Sequence, residues 1–181
     1  LIPRDAAAEW LQSEEEKGHR VLGVSYDDGT GAHFGGFVSF VDRIKDSTIA
    51  TVAAAKQMNV AITVITGDAL KVAEAVGREA GLVTESAEVT EAAAFLTLPL
   101  AERKKRLSSI RVFARTTPEQ KLELIQLLKE QFTVGYLGEG INDAPALKAA
   151  HVSMVVQSAA DVARETADIV LLQNDLRVIV E

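Results

Sequence analysis

The sequence predicts an α/β protein, a parallel sheet with helices on both faces. Three observations carry that prediction. From Asp42 onward, short β-branched runs alternate with helical stretches, and parallel strands separated in this way need crossover helices that cover the sheet. Two of the runs, Val60 to Ile65 and Thr133 to Leu137, open into a glycine, an acid and a helix. With 48% hydrophobic and 25% charged residues over 181 positions, the chain has the composition of globular protein with a sizeable core.

The elements follow in order. Residues 5 to 18, rich in Ala, Glu and Leu around Trp10, read as a helix ending at Gly18. Val21 to Tyr26 and Phe34 to Val41 flank the turn cluster Asp27, Asp28, Gly29, Thr30 and Gly31, which predicts a β-hairpin. Ser47 is the expected cap of a helix with Ile49, Val52 and Ala53 on one face. Val60 to Ile65 is then a buried strand, followed by a helix from Asp68 to Gly81 carrying Leu70, Ala73 and Val76. Residues 86 to 108 read as helix broken by Pro99, and Arg111 to Ala114 as a short strand. Thr117, Pro118 and Gln120 form a capping box ahead of Leu124, Leu127 and Leu128. Strand Thr133 to Leu137, helix Asn142 to Ala149, strand Val152 to Val156, helix Ala159 to Thr166 and strand Ile169 to Leu172 complete the alternation. The expected boundary lies at Asp42, with an N-terminal helix plus hairpin at 1–41 and the α/β unit at 42–181.

Charge and composition narrow the function classes. Lys plus Arg number 19 against 26 Asp plus Glu, a net charge of -7 that repels phosphate backbones and argues against nucleic-acid binding. No cysteine is present, which excludes disulfides, zinc-thiolate sites and thiol nucleophiles. The apolar runs fall far short of the roughly 18 to 20 residues of a membrane helix, and no charged-then-apolar leader opens the sequence. The expectation is a chain that works as soluble protein.

The two Gly-acid turns carry the chemistry. In open α/β sheets the loops beyond the carboxyl ends of the strands share one crevice, which brings Asp68, Glu139 and Asp143 within reach of one site. Carboxylates about 4 Å apart repel by roughly 4 kcal/mol at an effective dielectric near 20, so the cluster wants a cation. All-oxygen ligands imply a hard ion, and Mg²⁺ is the usual choice beside phosphates. Gly67, Gly138 and Gly140 let backbone N–H groups approach an anion, and the Thr66 hydroxyl can donate to it. Lys121 sits in the first turn of its helix, where the macrodipole disfavours a cation by up to about 1 kcal/mol, a penalty that a bound phosphoryl group would offset. Metal, hydroxyl, lysine and glycine turns together describe a phosphoryl-transfer site.

Thr66-Gly67-Asp68, then Phe113-Ala114-Arg115 with Pro118-Glu119-Gln120-Lys121, then Gly138-Glu139-Gly140-Ile141-Asn142-Asp143-Ala144-Pro145-Ala146-Leu147-Lys148 resemble, in order, segments of the P-type cation-transporting ATPases of the haloacid-dehalogenase-like superfamily. Ala167-Asp168-Ile169-Val170-Leu171-Leu172 and the hinge Asp42-Arg43-Ile44-Lys45 fit the same pattern, and the wording is closest to the type III magnesium and proton branch. The resemblance implies a Rossmann-like fold, with 42–181 a phosphorylation domain and 1–41 the end of a nucleotide-binding domain. It also implies roles. Thr66 and Gly67 hold the phosphoryl group, Lys121 neutralises it, Glu139 and Asp143 surround Mg²⁺, and Asn142 orients the phosphorylated loop. Asp68, Arg20, Asp42 and Lys45 belong to the ATP and domain-closure contacts. The implied parent is an integral membrane pump whose actuator, nucleotide and membrane parts are the partners, with this region on the cytoplasmic side.

The sequence departs from the family pattern. No Asp-Lys-Thr-Gly-Thr nucleophile segment occurs, so the sheet is expected to lack its first, nucleophile-bearing strand and the chain alone to lack ATPase activity. Glu139 replaces the usual Asp, Ala69 the usual Asn, and His151 and Ser153 the usual Asp and Gly, from which weak Mg²⁺ binding is expected. Two other readings stand beside this one: a free-standing soluble phosphatase that uses the hairpin acids of Tyr26-Asp27-Asp28-Gly29-Thr30, and an inactive module that closes a partner's site. Among the blander assignments, Arg103 to Arg106 form the exposed face of a helix, His19, His33 and His151 are structural, and Trp10 packs.

Overall fold

The computed structural model describes residues 4–41, 43–173 and 175–180. Helix α1 (Arg4–Glu16) leads into an antiparallel hairpin of β1 (Arg20–Asp27) and β2 (Ala32–Phe40). Between them Gly18 takes φ +81°, and a Cβ there would lie 2.9 Å from that of Ala75. Glycine is therefore required both for the left-handed backbone and for the close approach of α1 to the rest of the molecule. Trp10 stacks on Phe37 with ring centroids 5.6 Å apart, the packing role expected of it. Glu14, with its side chain only 11% exposed, accepts from Lys17, His19 Nδ1 and the Ser39 hydroxyl, each at 2.7 Å, and so ties α1 to both strands. At the tip, Asp27 accepts from the Gly29 N–H and Asp28 from the N–H and hydroxyl of Thr30. These acids serve their own turn.

The rest alternates. Parallel strands β3 (Val64–Ile65), β4 (Val89–Glu91) and β5 (Val112–Ala114) form one sheet in the order β3-β5-β4. A second parallel sheet orders β6 (Gly135–Gly138), β7 (Val152–Val156) and β8 (Ile169–Leu171) in sequence. Helices α2 (Asp46–Gln57) and α3 (Leu70–Glu79) precede and follow β3, while α4 (Ala92–Leu96), α5 (Leu100–Arg106) and α6 (Pro118–Lys129) flank β5. Helix α7 (Ala144–Ala149) links β6 to β7, and α8 (Asp161–Thr166) links β7 to β8.

Period-two alternation in β5 puts helices on both faces, as expected. Val112 and Ala114 pack with Val52 of α2, Ala73 of α3, Leu82 and Val83. Phe113 points the other way, into Phe95, Leu107, Leu124 and Leu127, and meets Phe95 edge-on at 5.0 Å. Burying each of these rings contributes about 1.5–3 kcal/mol. Strands β3 and β6 each pair on one side only among the described residues, and the sheet divides between them. Ile65 and Tyr136, from the two sides, both pack against the buried cluster of Ile125, Val134 and Ala146.

Several local expectations are corrected. Asp46, not Ser47, opens α2, with Lys45 at the cap position and no side-chain cap bond. Its buried face is Thr51, Val52 and Ala55, while Ile49 is 43% exposed and Ala53 is exposed as well. The strand expected from Val60 shrinks to Val64 and Ile65, the two residues that pair with Val112 and Phe113 of the short β5, its only strand partner among the described residues. Leu70, not Asp68, starts α3, which leaves Thr66 to Ala69 as an open turn. Within 86–108 the helical expectation misses β4, whose Val89 and Thr90 are a β-branched pair that tertiary pairing with β5 recruits. Leu172 falls outside β8 and is 76% exposed. The capping box at Thr117 and Gln120 forms as expected.

Candidate functional site

Strand β3 delivers Thr66, Gly67 and Asp68. Backbone bonds from Thr66 N–H to Phe113 C=O and from Thr116 N–H to Thr66 C=O, both 2.9 Å, carry the parallel pairing past the strand into the turn. Arg115 N–H donates to Asp68 C=O at 2.9 Å from a left-handed conformation at φ +49°. For a non-glycine residue that conformation is strained, and it occurs here where two loops must be pinned together. The Arg115 guanidinium lies 3.4 Å from Glu91. The Thr66 hydroxyl donates to Asp68 at 2.8 Å, and Arg20, from the base of the hairpin, lies 2.9 Å from the same carboxylate. The Asp68 side chain is 26% exposed and that of Arg20 55%, so water screens this ion pair. A Cβ on Gly67 would meet only Thr116 C=O at 3.8 Å, which leaves that side of the turn open.

Strand β6 delivers a different environment. Asp143 Oδ1 accepts from Lys121 Nζ at 2.7 Å and from the Tyr136 hydroxyl at 2.9 Å. Its Oδ2 accepts from the N–H groups of Glu139 at 3.2 Å and Gly140 at 3.1 Å. The side chains of Lys121 and Asp143 are 17% and 11% exposed. Burial opposes the Asp143 charge, yet Lys121, the Gly140 N–H and Tyr136 together hold its carboxyl below the usual range. Burial, joined by the Asp143 charge, pushes the Tyr136 phenol well above its ordinary value, so it stays a neutral donor. A Cβ on Gly138 would fall 2.8 Å from that of Asp143 and 3.1 Å from the Tyr136 ring, so glycine is required for this close approach. Glu139 and Asn142 stand exposed in the same turn. Asp143 also answers the anomaly of Lys121: the anion that offsets a cation in the first turn of α6 is this carboxylate.

The sequence-derived site residues thus fall into two groups, Thr66, Asp68 and Arg20 in one, Lys121 and Asp143 in the other. Among the described residues no three His, Cys, Asp or Glu side chains gather as a metal cluster; Asp68 is met by Arg20 and Asp143 by Lys121. Lys45 is exposed and lines, with Thr66 and Asp68, a largely apolar cavity of about 480 Å³ between α2, α3 and β3. Asp42 lies outside the described residues. Sequence reasoning missed Tyr136 and Arg115. Strand alternation could have found Tyr136, since it stands two positions before Gly138, which puts both on one face; no local signal marks the backbone of Arg115.

Divided parallel sheets with Gly-acid turns beyond β3 and β6, and a lysine-carboxylate pair between α6 and the second turn, characterise this α/β fold. The haloacid dehalogenase-like hydrolase family model matches residues 4–151, and the chain belongs to that family. Within it, the magnesium-transporting ATPase, P-type 1, of Salmonella typhimurium is 40% identical over 159 residues, 87% of this chain and 17% of the relative. The zinc-transporting ATPase of Bacillus subtilis is 32% identical over 185 residues, 99% of this chain and 24% of the relative. A solved zinc-transporting PIB-type ATPase in its E2.Pi state superposes with a TM-score of 0.68 at 25% identity, covering 98% of this chain and 24% of that one. The chain therefore spans about a sixth to a quarter of the P-type ATPases it matches. The magnesium-transporting relatives agree with the expected branch.

Proposed function

We propose that the chain supplies the Mg²⁺- and phosphoryl-binding part of the phosphorylation site of an ATP-driven P-type cation pump, with 42–181 as phosphorylation domain and 1–41 as the end of the nucleotide-binding domain. The observation that carries this reading is the Lys121–Asp143 pair at 2.7 Å, which joins two motifs 22 positions apart at the end of β6. Lys121 neutralises the transferring phosphoryl group, and Thr66 and Gly67 donate a hydroxyl and an N–H to it. Asn142 orients the phosphorylated loop. Arg20, Asp68 and Lys45 contact the nucleotide and hold the hairpin against the site. Glu139 and Asp143 would hold Mg²⁺. Their donor set suits it, since Mg²⁺ takes one or two carboxylates with water and phosphate rather than a full protein cage. When bound, the ion supplies charge neutralisation at the phosphoryl oxygens. The cytoplasmic face of a membrane is the proposed location; no helix among the described residues is long and apolar enough to cross a membrane.

The nucleophile must come from a segment outside these 181 residues, and the one-sided pairing of β3 and β6 supports its insertion as a strand between them. The test is phosphorylation from γ-labelled ATP. The chain alone is expected to form no acid-stable phosphoenzyme, whereas co-expression with an upstream polypeptide bearing Asp-Lys-Thr-Gly-Thr restores one that Lys121→Met abolishes. Labelling of the chain by itself, or restored labelling that survives Lys121→Met, overturns the proposal.

A further inference from the structure

Asp143 is saturated. A carboxylate offers about four lone-pair positions, and all four are taken: Lys121 and Tyr136 on Oδ1, the Glu139 and Gly140 N–H groups on Oδ2. A cation that binds this carboxylate must displace one of the donors. The two N–H groups are fixed by the turn itself, which closes through Asp143 N–H to Gly140 C=O at 3.0 Å and by the tight seat of Gly138. Lys121 is charged and almost buried, so separating it from Asp143 leaves an uncompensated ammonium. Tyr136 is different. Its hydroxyl is neutral, and its ring is held independently by the apolar clusters around Leu147 and Ile125. Removing the hydroxyl frees one position on Oδ1 without moving the ring.

We propose that Tyr136 is a positioning residue whose hydroxyl competes with a divalent cation for Asp143 Oδ1 and so lowers the affinity of the site for Mg²⁺. The inference rests on the reading of Asp143 as a metal ligand. It differs from the expected weakening by Glu139, because it places the weakness in a donor that contributes no metal ligand. The cation gains Asp143 only when the Tyr136 O–H gives up its bond, and a hydrogen bond to a charged group carries enough net free energy to cost roughly tenfold or more in binding.

The test uses the full chain with Mn²⁺ as probe, free Mn²⁺ being followed by electron paramagnetic resonance. Tyr136→Phe is expected to tighten Mn²⁺ binding about tenfold, while Asp143→Asn abolishes it. Because Tyr26 and Tyr136 are the only tyrosines, a Tyr26→Phe background isolates the Tyr136 absorbance. Mn²⁺ should perturb that absorbance in step with binding, a signal that a purely structural tyrosine would not give. Unchanged or weaker Mn²⁺ binding in Tyr136→Phe, with Asp143→Asn still abolishing it, overturns the role of Tyr136 and leaves the ligand reading standing. Binding by Asp143→Asn equal to that of the wild type overturns the ligand reading itself. If Tyr136→Phe fails to fold, metal titration of the tyrosine absorbance in the Tyr26→Phe chain decides alone: no perturbation at saturating Mn²⁺ overturns the proposal.

Discussion

The turn after β3 and the turn after β6 are written alike, a strand running into glycine, an acid and a helix, yet they hold their acids in opposite ways. Asp68 is partly exposed and is met by Arg20, a residue 48 positions away on the hairpin, and by the neighbouring Thr66 hydroxyl. Asp143 is nearly buried and is gripped by two side chains and two N–H groups of its own turn. The first arrangement can exchange partners at little cost, because water replaces whatever leaves. The second is preorganised, because removing Lys121 strands a charge and the two N–H donors are fixed by the turn. Under the proposed function the two would serve different ends, a labile contact where domains close and a fixed one beside the reacting group.

The comparison can be broken by three substitutions, the strongest first. Lys121→Met should destabilise the chain by about 3 kcal/mol, since it leaves the Asp143 charge almost buried without its cation. Urea unfolding measures this, and adding Asp143→Asn should recover a large part of the loss. Equal stability of Lys121→Met and wild type would mean that the pair is solvated after all.

The second test concerns what keeps Arg20 in reach of Asp68. Lys17, Ser39 and His19 hold the Glu14 carboxyl down at about 2, from an ordinary value of 4.5. A carboxyl with a lowered folded-state value contributes stability that is complete above its unfolded value and disappears as pH falls through the folded one. The docking of α1 on the hairpin should therefore weaken between about pH 4.5 and 2. Fluorescence of Trp10, the only tryptophan, which stacks on Phe37, reports it. Glu14→Gln should already be loosened at neutral pH and show little further change on acidification.

The smallest effect is expected at Arg20→Ala. An ion pair this exposed contributes below about 1 kcal/mol, so the midpoint of urea unfolding should scarcely move. A loss comparable to that of Lys121→Met would erase the distinction between the two turns.

Much of this is legible in the residues. The capping box at Thr117 and Gln120 and the hairpin turn at Asp27 to Gly31 rest on short-range chemistry and form where the sequence places them, and the alternation of strand and helix forms in its expected order with shifted ends and one added strand, β4. The failures share one cause. Apolar and β-branched residues predict strand from Val60 to Thr63, but a strand exists only where a partner offers hydrogen bonds, and β5 offers three residues. Helical surroundings predict helix over Val89 to Glu91, and the same β5 recruits them as strand. Ile49, Val52 and Ala53 share one face of α2 by spacing, and packing decides that Val52, with Thr51 and Ala55, is the part turned inward.

The sequence by itself determined the α/β class and the two Gly-acid turns in their order, because periodicity and turn chemistry act over a few positions. Only the tertiary structure decided which charges meet. Asp143 found Lys121 and Tyr136, Asp68 found Arg20, and the sheet divided at β3 and β6. Such pairings join residues up to 48 positions apart, and the free energy of burying or solvating an ion depends on that environment rather than on its neighbours in the chain.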